Sequence, residues 1–333
     1  MRLRHFLFFL ALVLISILII VQFGQFSDFL SVIVNVNAWL LMAVVFLRFL
    51  YYLTNTKYFQ VYLKSFGYHL AFKPLFKDVV TMNFANTVFP TGGVSGIAIL
   101  RGRLRKHNIS AHTSTVAQAF WMGFTGISFI VLLLASMLLL FVSTRIEQVS
   151  FRLILAVLLF MLVSSIVTMA LLLNRRIAER AVYFLTRPIN FILKRFGRDS
   201  LGKQQLEGLS DKFYETLLDF KSDWRKLVGP FSWCFITLVI DIASLYMVFV
   251  AFGVYPNPGV VAAAFLVAMV VSLASVVTSG IGVFEIGMVS VLVGLGLAFD
   301  ISFSAAIVYR IIALWLFLPV GLYFYKKAMF DEK

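Results

Sequence analysis

Four ionisable side chains lie inside segments otherwise suited to hydrocarbon: Arg48, Asp241, Glu285 and Arg310. On insertion scales each costs about 2.5–3.5 kcal/mol at a bilayer centre unless it is paired or hydrated. Two are cationic and two anionic, so pairing can cancel that cost. Glu285 follows a glycine pair and Arg310 lies on the next apolar helix, which points to a Glu285–Arg310 pair. Arg48 with Asp241 would then join two distant parts of the chain. Such pairs either fix helix packing or handle a substrate or a proton. Arg48 is also close enough to the end of its apolar run to snorkel towards water.

The second chemical signal is a pair of breaks. The apolar run 79–100 is interrupted at Pro90-Thr91-Gly92-Gly93, and the run 260–297 at Thr278-Ser279-Gly280-Ile281-Gly282. Broken helices leave backbone groups unpaired, which a membrane tolerates only inside protein or beside a polar cavity. A half-helix starting after Gly93 or Gly282 would point its positive dipole end at the midplane, where it can hold an anion such as phosphate. Thr91, Ser95, Thr278 and Ser279 add hydroxyls there. Asn83 and Asn86 add amides, and Arg101 and Arg103 stand at the mouth of the first break. A lone break also fits a packing kink, and Gln118 and Trp121 either face a cavity or pack.

The elements that must position these groups are transmembrane helices. Hydrophobic residues make up 61% of the 333 residues and charged residues 13%, against roughly 25% charged in soluble domains. Mean hydropathy is +0.96. Period-2 alternation is missing, which argues against a β-barrel. Apolar runs at 6–22, 30–53, 115–142, 151–173, 230–253 and 302–325 reach the spanning length of about 20 residues. The run 6–22 lacks a small-x-small cleavage site and reads as a retained first helix. The net charge of +14 does not indicate nucleic acid, because 25 of the 29 Lys and Arg cluster near segment ends. That is the pattern that orients membrane proteins.

Charge parity sets the topology. With the N-terminus inside, 30–53 returns to basic residues 57–77. Basic residues flank 79–100 on both sides, so this run re-enters as a hairpin from the cytoplasm. Arms of about ten residues reach about 15 Å, the midplane of the hydrocarbon core. Helix 115–142 leaves and 151–173 returns to the basic stretch 174–228. No Lys or Arg occurs between Gly253 and Tyr309, so 260–297 starts and ends outside, although the arm 260–278 is almost long enough to span. Both termini lie in the cytoplasm. The reading is an all-α polytopic protein of one integral membrane domain, 1–333. It has about six spanning helices plus two re-entrant or broken hairpins, in inverted repeats 30–142 and 230–325. Such repeats mark secondary transporters.

Other chemistries are unsupported. Cys234 is solitary and His5, His69, His107 and His112 are scattered, so no metal site and no cofactor is readable. Thr91-Gly92-Gly93 lacks the lysine of a phosphate-binding loop, and no nucleophile–base pair marks an enzyme. In 174–228, Leu206, Leu209, Phe213, Leu217, Phe220 and Trp224 form a stripe with Lys203, Lys212, Lys221 and Arg225 off it. This basic amphipathic helix fits either an anionic leaflet or the protein's own inner face.

At these motifs the chain resembles the transmembrane region of lysylphosphatidylglycerol synthases, a flippase-like family. The family's Asn…Pro-x-x-Gly motif and basic loop stand here as Asn86…Pro90-Thr-Gly-Gly93, Arg101–Lys106 and Asn108-Ile-Ser110. Its Pro-Gly-Gly-x-Gly-x-x-Glu motif stands as Thr278-Ser279-Gly280-Ile281-Gly282-Val-Phe-Glu285, with Arg310 and Trp315 after it. Val94-Ser95-Gly96 replaces the usual Glu-x-x-Arg, and Ser279 replaces a proline. The resemblance implies roles for Asn86, Pro90, Gly92, Gly280, Gly282, Glu285 and Arg310. It implies membrane lipids as partners: an anionic or aminoacylated phospholipid, or a polyprenyl-phosphate lipid. It also implies the flippase-like half rather than the aminoacyl transferase, with a separate lipid-modifying transferase as the alternative partner.

Overall fold

A computed structural model describes residues 36–89, 94–143, 155, 159, 225–274 and 280–330. The expected helices 6–22 and 151–173, and most of the amphipathic stretch 174–228, lie outside the described residues. Regular structure among the described residues is all helical. Four helices there are long and apolar enough to cross a membrane: Ala38–Ser65, Thr113–Phe141, Arg225–Ala251 and Phe299–Ala328.

Helix α1 (Ala38–Ser65) begins at Asn37, whose Oδ1 accepts from the N–H groups of Trp39 at 3.1 Å and Leu40 at 3.4 Å. The apolar run ends near residue 53, yet the helix continues twelve residues further. Tyr58, Phe59, Tyr62 and Leu63 cause this, because all four are fully buried. They pack against Phe120 and Phe124 of α4 (Ala111–Ser143). Arg48 is therefore mid-helix rather than near an end, which corrects the snorkelling reading. Helix α5 (Arg225–Ala251) runs antiparallel to α1. The Asn37 N–H donates to the Ala251 carbonyl at 3.2 Å. Nearer the other end, the Thr237 hydroxyl donates to Thr54 Oγ1 at 2.9 Å.

Both breaks form hairpins. Helices α2 (Phe72–Val88) and α3 (Val94–Arg105) make the first. Ser95 bonds Ala85, Gly96 bonds Asn86, and Arg103 pairs with Asp78. These contacts place the arms antiparallel about Pro90–Gly93, a break that itself lies outside the described residues. Helices α6 (Pro258–Ala274) and α7 (Val283–Gly294) make the second and pack on each other. The first of these is described as far as Ala274, and the expected continuation of that arm to 278 lies outside the described residues.

Gly280 closes the second hairpin. Its φ of +61° is strained for L residues, and a Cβ there would lie 1.6 Å from Ser272 Oγ. Gly280→Ala combines left-handed strain of about 1–3 kcal/mol with that clash. The expected result is a clear drop in melting temperature, read by thiol-dye labelling of the buried Cys234 on heating. An unchanged melting curve would contradict the geometry.

The final span is interrupted. It comprises α8 (Phe299–Arg310), a π-helical turn (Ile311–Trp315) and α9 (Leu318–Phe330). Packing is matched pairwise: α1 lies on α5, α4 on α6, and α9 on α2. Basic residues (Lys57, Lys64, Lys73, Lys77, Arg101 to Lys106, Arg225, Lys226, Lys326, Lys327) gather where α1, α3 and α9 end and α2, α4 and α5 begin. Val131, Leu134, Leu138, Leu139 and Phe141 of α4 face outward. That is costly in water and neutral against lipid chains.

Candidate functional site

Both charge pairs form, and one turn of helix holds them. Arg310 Nε donates to Glu285 Oε1 at 2.7 Å, with side chains 10% and 5% exposed. The Arg310 guanidinium also lies 4.4 Å above the Phe284 ring, a cation–π contact that offsets lost hydration. Across the α1–α5 seam, Arg48 pairs with Asp241. Its Nε donates to the Ala313 carbonyl at 3.2 Å. Tyr309 donates its hydroxyl to Asp241 Oδ1 at 2.6 Å. Neighbours Tyr309 and Arg310 thus serve different pairs.

A π-helical turn follows these two residues directly. A π-turn bonds i to i+5 and shifts the helical register, and such turns gather at functional sites. Leu316 N–H closes it on the Ile311 carbonyl at 3.2 Å. The Ala313 carbonyl inside the turn faces Arg48 and accepts its hydrogen bond. The Tyr309 ring stacks on Phe284 at 6.2 Å and meets Phe265 edge-on at 5.8 Å. The tip of the second hairpin and the α1–α5 seam are therefore in direct mechanical contact.

Internal hydrogen bonds occupy backbone donors at the start of both half-helices. Gly282 N–H donates to Glu285 Oε2 at 2.7 Å. The carboxylate caps its own helix and neutralises the dipole end expected to hold an anion. In the first hairpin, Asn86 Oδ1 takes the Gly96 N–H at 2.8 Å. A Cβ on Gly96 would meet that oxygen at 2.2 Å, which is why glycine stands there. Ser95 gives its hydroxyl to the Ala85 carbonyl. Asn83 Nδ2 bonds Asn55 Oδ1 and the Val79 carbonyl, both at 3.0 Å. A ligand reaching either tip must displace or join these internal bonds.

The structure unites Arg48, Asp241, Glu285, Arg310 and Gly282 around the π-turn, with Gly280 in the adjoining break. It places Asn83, Asn86 and Ser95 together in the first hairpin and leaves Arg101 exposed at the basic end. Pro90, Thr91, Gly92, Gly93, Thr278 and Ser279 lie outside the described residues. Trp121 packs on Tyr58 at 4.7 Å rather than facing a cavity. Sequence reasoning missed Tyr309, Asn55 and Asp78. Asp78 is 1% exposed and pairs with Arg103, and only its position as an acid among basic residues could have marked it.

A UPF0104 membrane protein of Methanothermobacter thermautotrophicus is 32% identical over 114 residues, which cover 33% of this chain and 34% of that protein. The match thus spans about a third of the length of that curated relative. The family model for the lysylphosphatidylglycerol synthase TM region matches residues 8–321, nearly the whole chain, and the chain belongs to that family.

Proposed function

We propose that this protein moves a lipid with a charged head group across the cytoplasmic membrane. The observation that carries the proposal is the pair of buried ion pairs joined through Tyr309, Arg310 and the π-turn at a break in an apolar hairpin. A purely structural span has no use for four charges there, since apolar residues of similar volume pack as well or better. A head group carrying phosphate, or phosphate and amine, can exchange with Arg310 and Glu285 without leaving either charge bare. Anionic or aminoacylated phospholipids and polyprenyl phosphates share that chemistry.

The matched packing of α1 on α5, of α4 on α6 and of α9 on α2 supports reading 30–142 and 230–325 as inverted repeats. The basic end is then cytoplasmic. The first hairpin enters from inside and the second from outside, with N- and C-termini inside. In transporters of this kind the substrate sits near the midplane between broken helices.

Native mass spectrometry of the purified protein tests binding. The expected result is a retained phosphate-bearing lipid that is lost in the Glu285→Gln/Arg310→Met variant. Identical lipid retention in both proteins would contradict the site. The family description names a synthase, which favours a second reading as membrane partner of a lipid-modifying transferase. Co-purification of such a transferase, without lipid movement by the chain alone, would select it.

A further inference from the structure

Polar atoms without hydrogen bonds concentrate around the first hairpin. Among the described residues, Asn55 Nδ2, Asp78 Oδ2 and Gln118 Oε1 are buried and lack a hydrogen bond. They come from α1, α2 and α4, and side-chain hydrogen bonds link those helices. Asn55 Oδ1 accepts from Asn83 Nδ2, five residues along α2 from Asp78. Tyr58, one turn from Asn55, donates to the carbonyl of Ala117, the neighbour of Gln118, at 2.7 Å.

The orientation of Asn55 is forced. Asn83 Nδ2 also donates to the Val79 carbonyl, so Asn83 must present its NH2 and Asn55 must answer with oxygen. The free group on Asn55 is therefore a donor, whereas those on Asp78 and Gln118 are acceptors. Donor and acceptors together match water, which needs two to four polar partners. Buried polar groups are otherwise hydrogen-bonded, and in a membrane the demand is stricter.

The three positions share one half of the protein. By helix position each lies within about 15 Å of the basic end, at 1.5 Å per residue. At that end His107 is one-third exposed, and its Nε2 stands 3.7 Å from Asp78 Oδ2. Arg103 holds the other carboxylate oxygen.

We propose that the basic half of the first hairpin encloses a hydrated vestibule bounded by Asn55, Asp78 and Gln118. It opens past His107 and admits water from the basic face. Its role as the entry for a lipid head group rests on the translocation reading, whereas its hydration does not.

Hydroxyl-radical footprinting of the wild-type protein in nanodiscs tests it, because radicals formed from internal water label buried side chains. Tyr58 and Met82 pack beside the vestibule, at 0% and 1% exposure. Met288, at 0%, is equally buried in the second hairpin. The expected result is at least fivefold faster labelling of Met82 than Met288. A smaller difference overturns the proposal. In Asn55→Leu/Gln118→Leu the Met82 rate should fall to that of Met288, and persistence at the wild-type rate also overturns it. Fast labelling in a protein that moves no lipid would retain the vestibule and refute translocation instead.

Discussion

Arg48→Met is expected to destabilise the folded protein by about 3–5 kcal/mol, the usual cost of stripping one partner from a buried ion pair. Arg48 and Asp241 are 11% and 9% exposed, so neither charge can turn to water. Asp241 would keep only the Tyr309 hydroxyl, and Ala313 would lose its extra donor. Asp241→Leu should cost a similar amount, because Arg48 would remain buried beside the Tyr51 ring at 4.1 Å. The double variant Arg48→Met/Asp241→Leu should be more stable than either single variant, since it leaves no bare charge. Thermal unfolding with Cys234 as reporter measures all three. Single variants within 1 kcal/mol of wild type would mean that the pair is solvated.

At the second pair, Glu285→Gln/Arg310→Met is expected to stay folded and yet lose lipid movement by roughly 10- to 100-fold. The size follows from about 1.5–3 kcal/mol for a hydrogen bond to a charged group. The double neutral variant separates the two roles a buried pair can have. A pair that only fixes packing can be replaced by neutral groups of similar size at little cost, and movement would then survive. A pair that exchanges with a head group cannot be replaced. The charge swap Glu285→Arg/Arg310→Glu should also fail, because Glu285 accepts from the Gly282 N–H as well as from Arg310. Arginine at 285 would set a positive charge against a positive helix end.

Much of this was readable from residues. Proline and glycine at 90–93 and glycine at 280 and 282 marked the breaks; the helix before the first ends at Val88, and the helix after the second begins at Val283. The charge pairs were readable because opposite charges in hydrocarbon have few alternatives. Other features left no trace. The extension of α1 to Ser65 depends on Tyr58 and Tyr62 meeting α4, and an aromatic residue in an aromatic-rich chain carries no such message. Tyr309 looks like any apolar-helix tyrosine until its hydroxyl meets Asp241 from 68 residues away. The π-turn has no sequence signature, since Ile311–Trp315 would fit an α-helix equally well. The capping of the second half-helix by Glu285 turned an expected anion site into an occupied one.

The central claim is translocation, and fluorescent-lipid movement in proteoliposomes tests it most directly. Phosphatidylglycerol, an aminoacylated phosphatidylglycerol and a polyprenyl phosphate are tested in turn, with empty vesicles as the baseline. The expected result is movement of at least one lipid above baseline with wild-type protein, and loss of that movement in folded Glu285→Gln/Arg310→Met. Baseline rates for every lipid, or undiminished movement in the double variant, would contradict it.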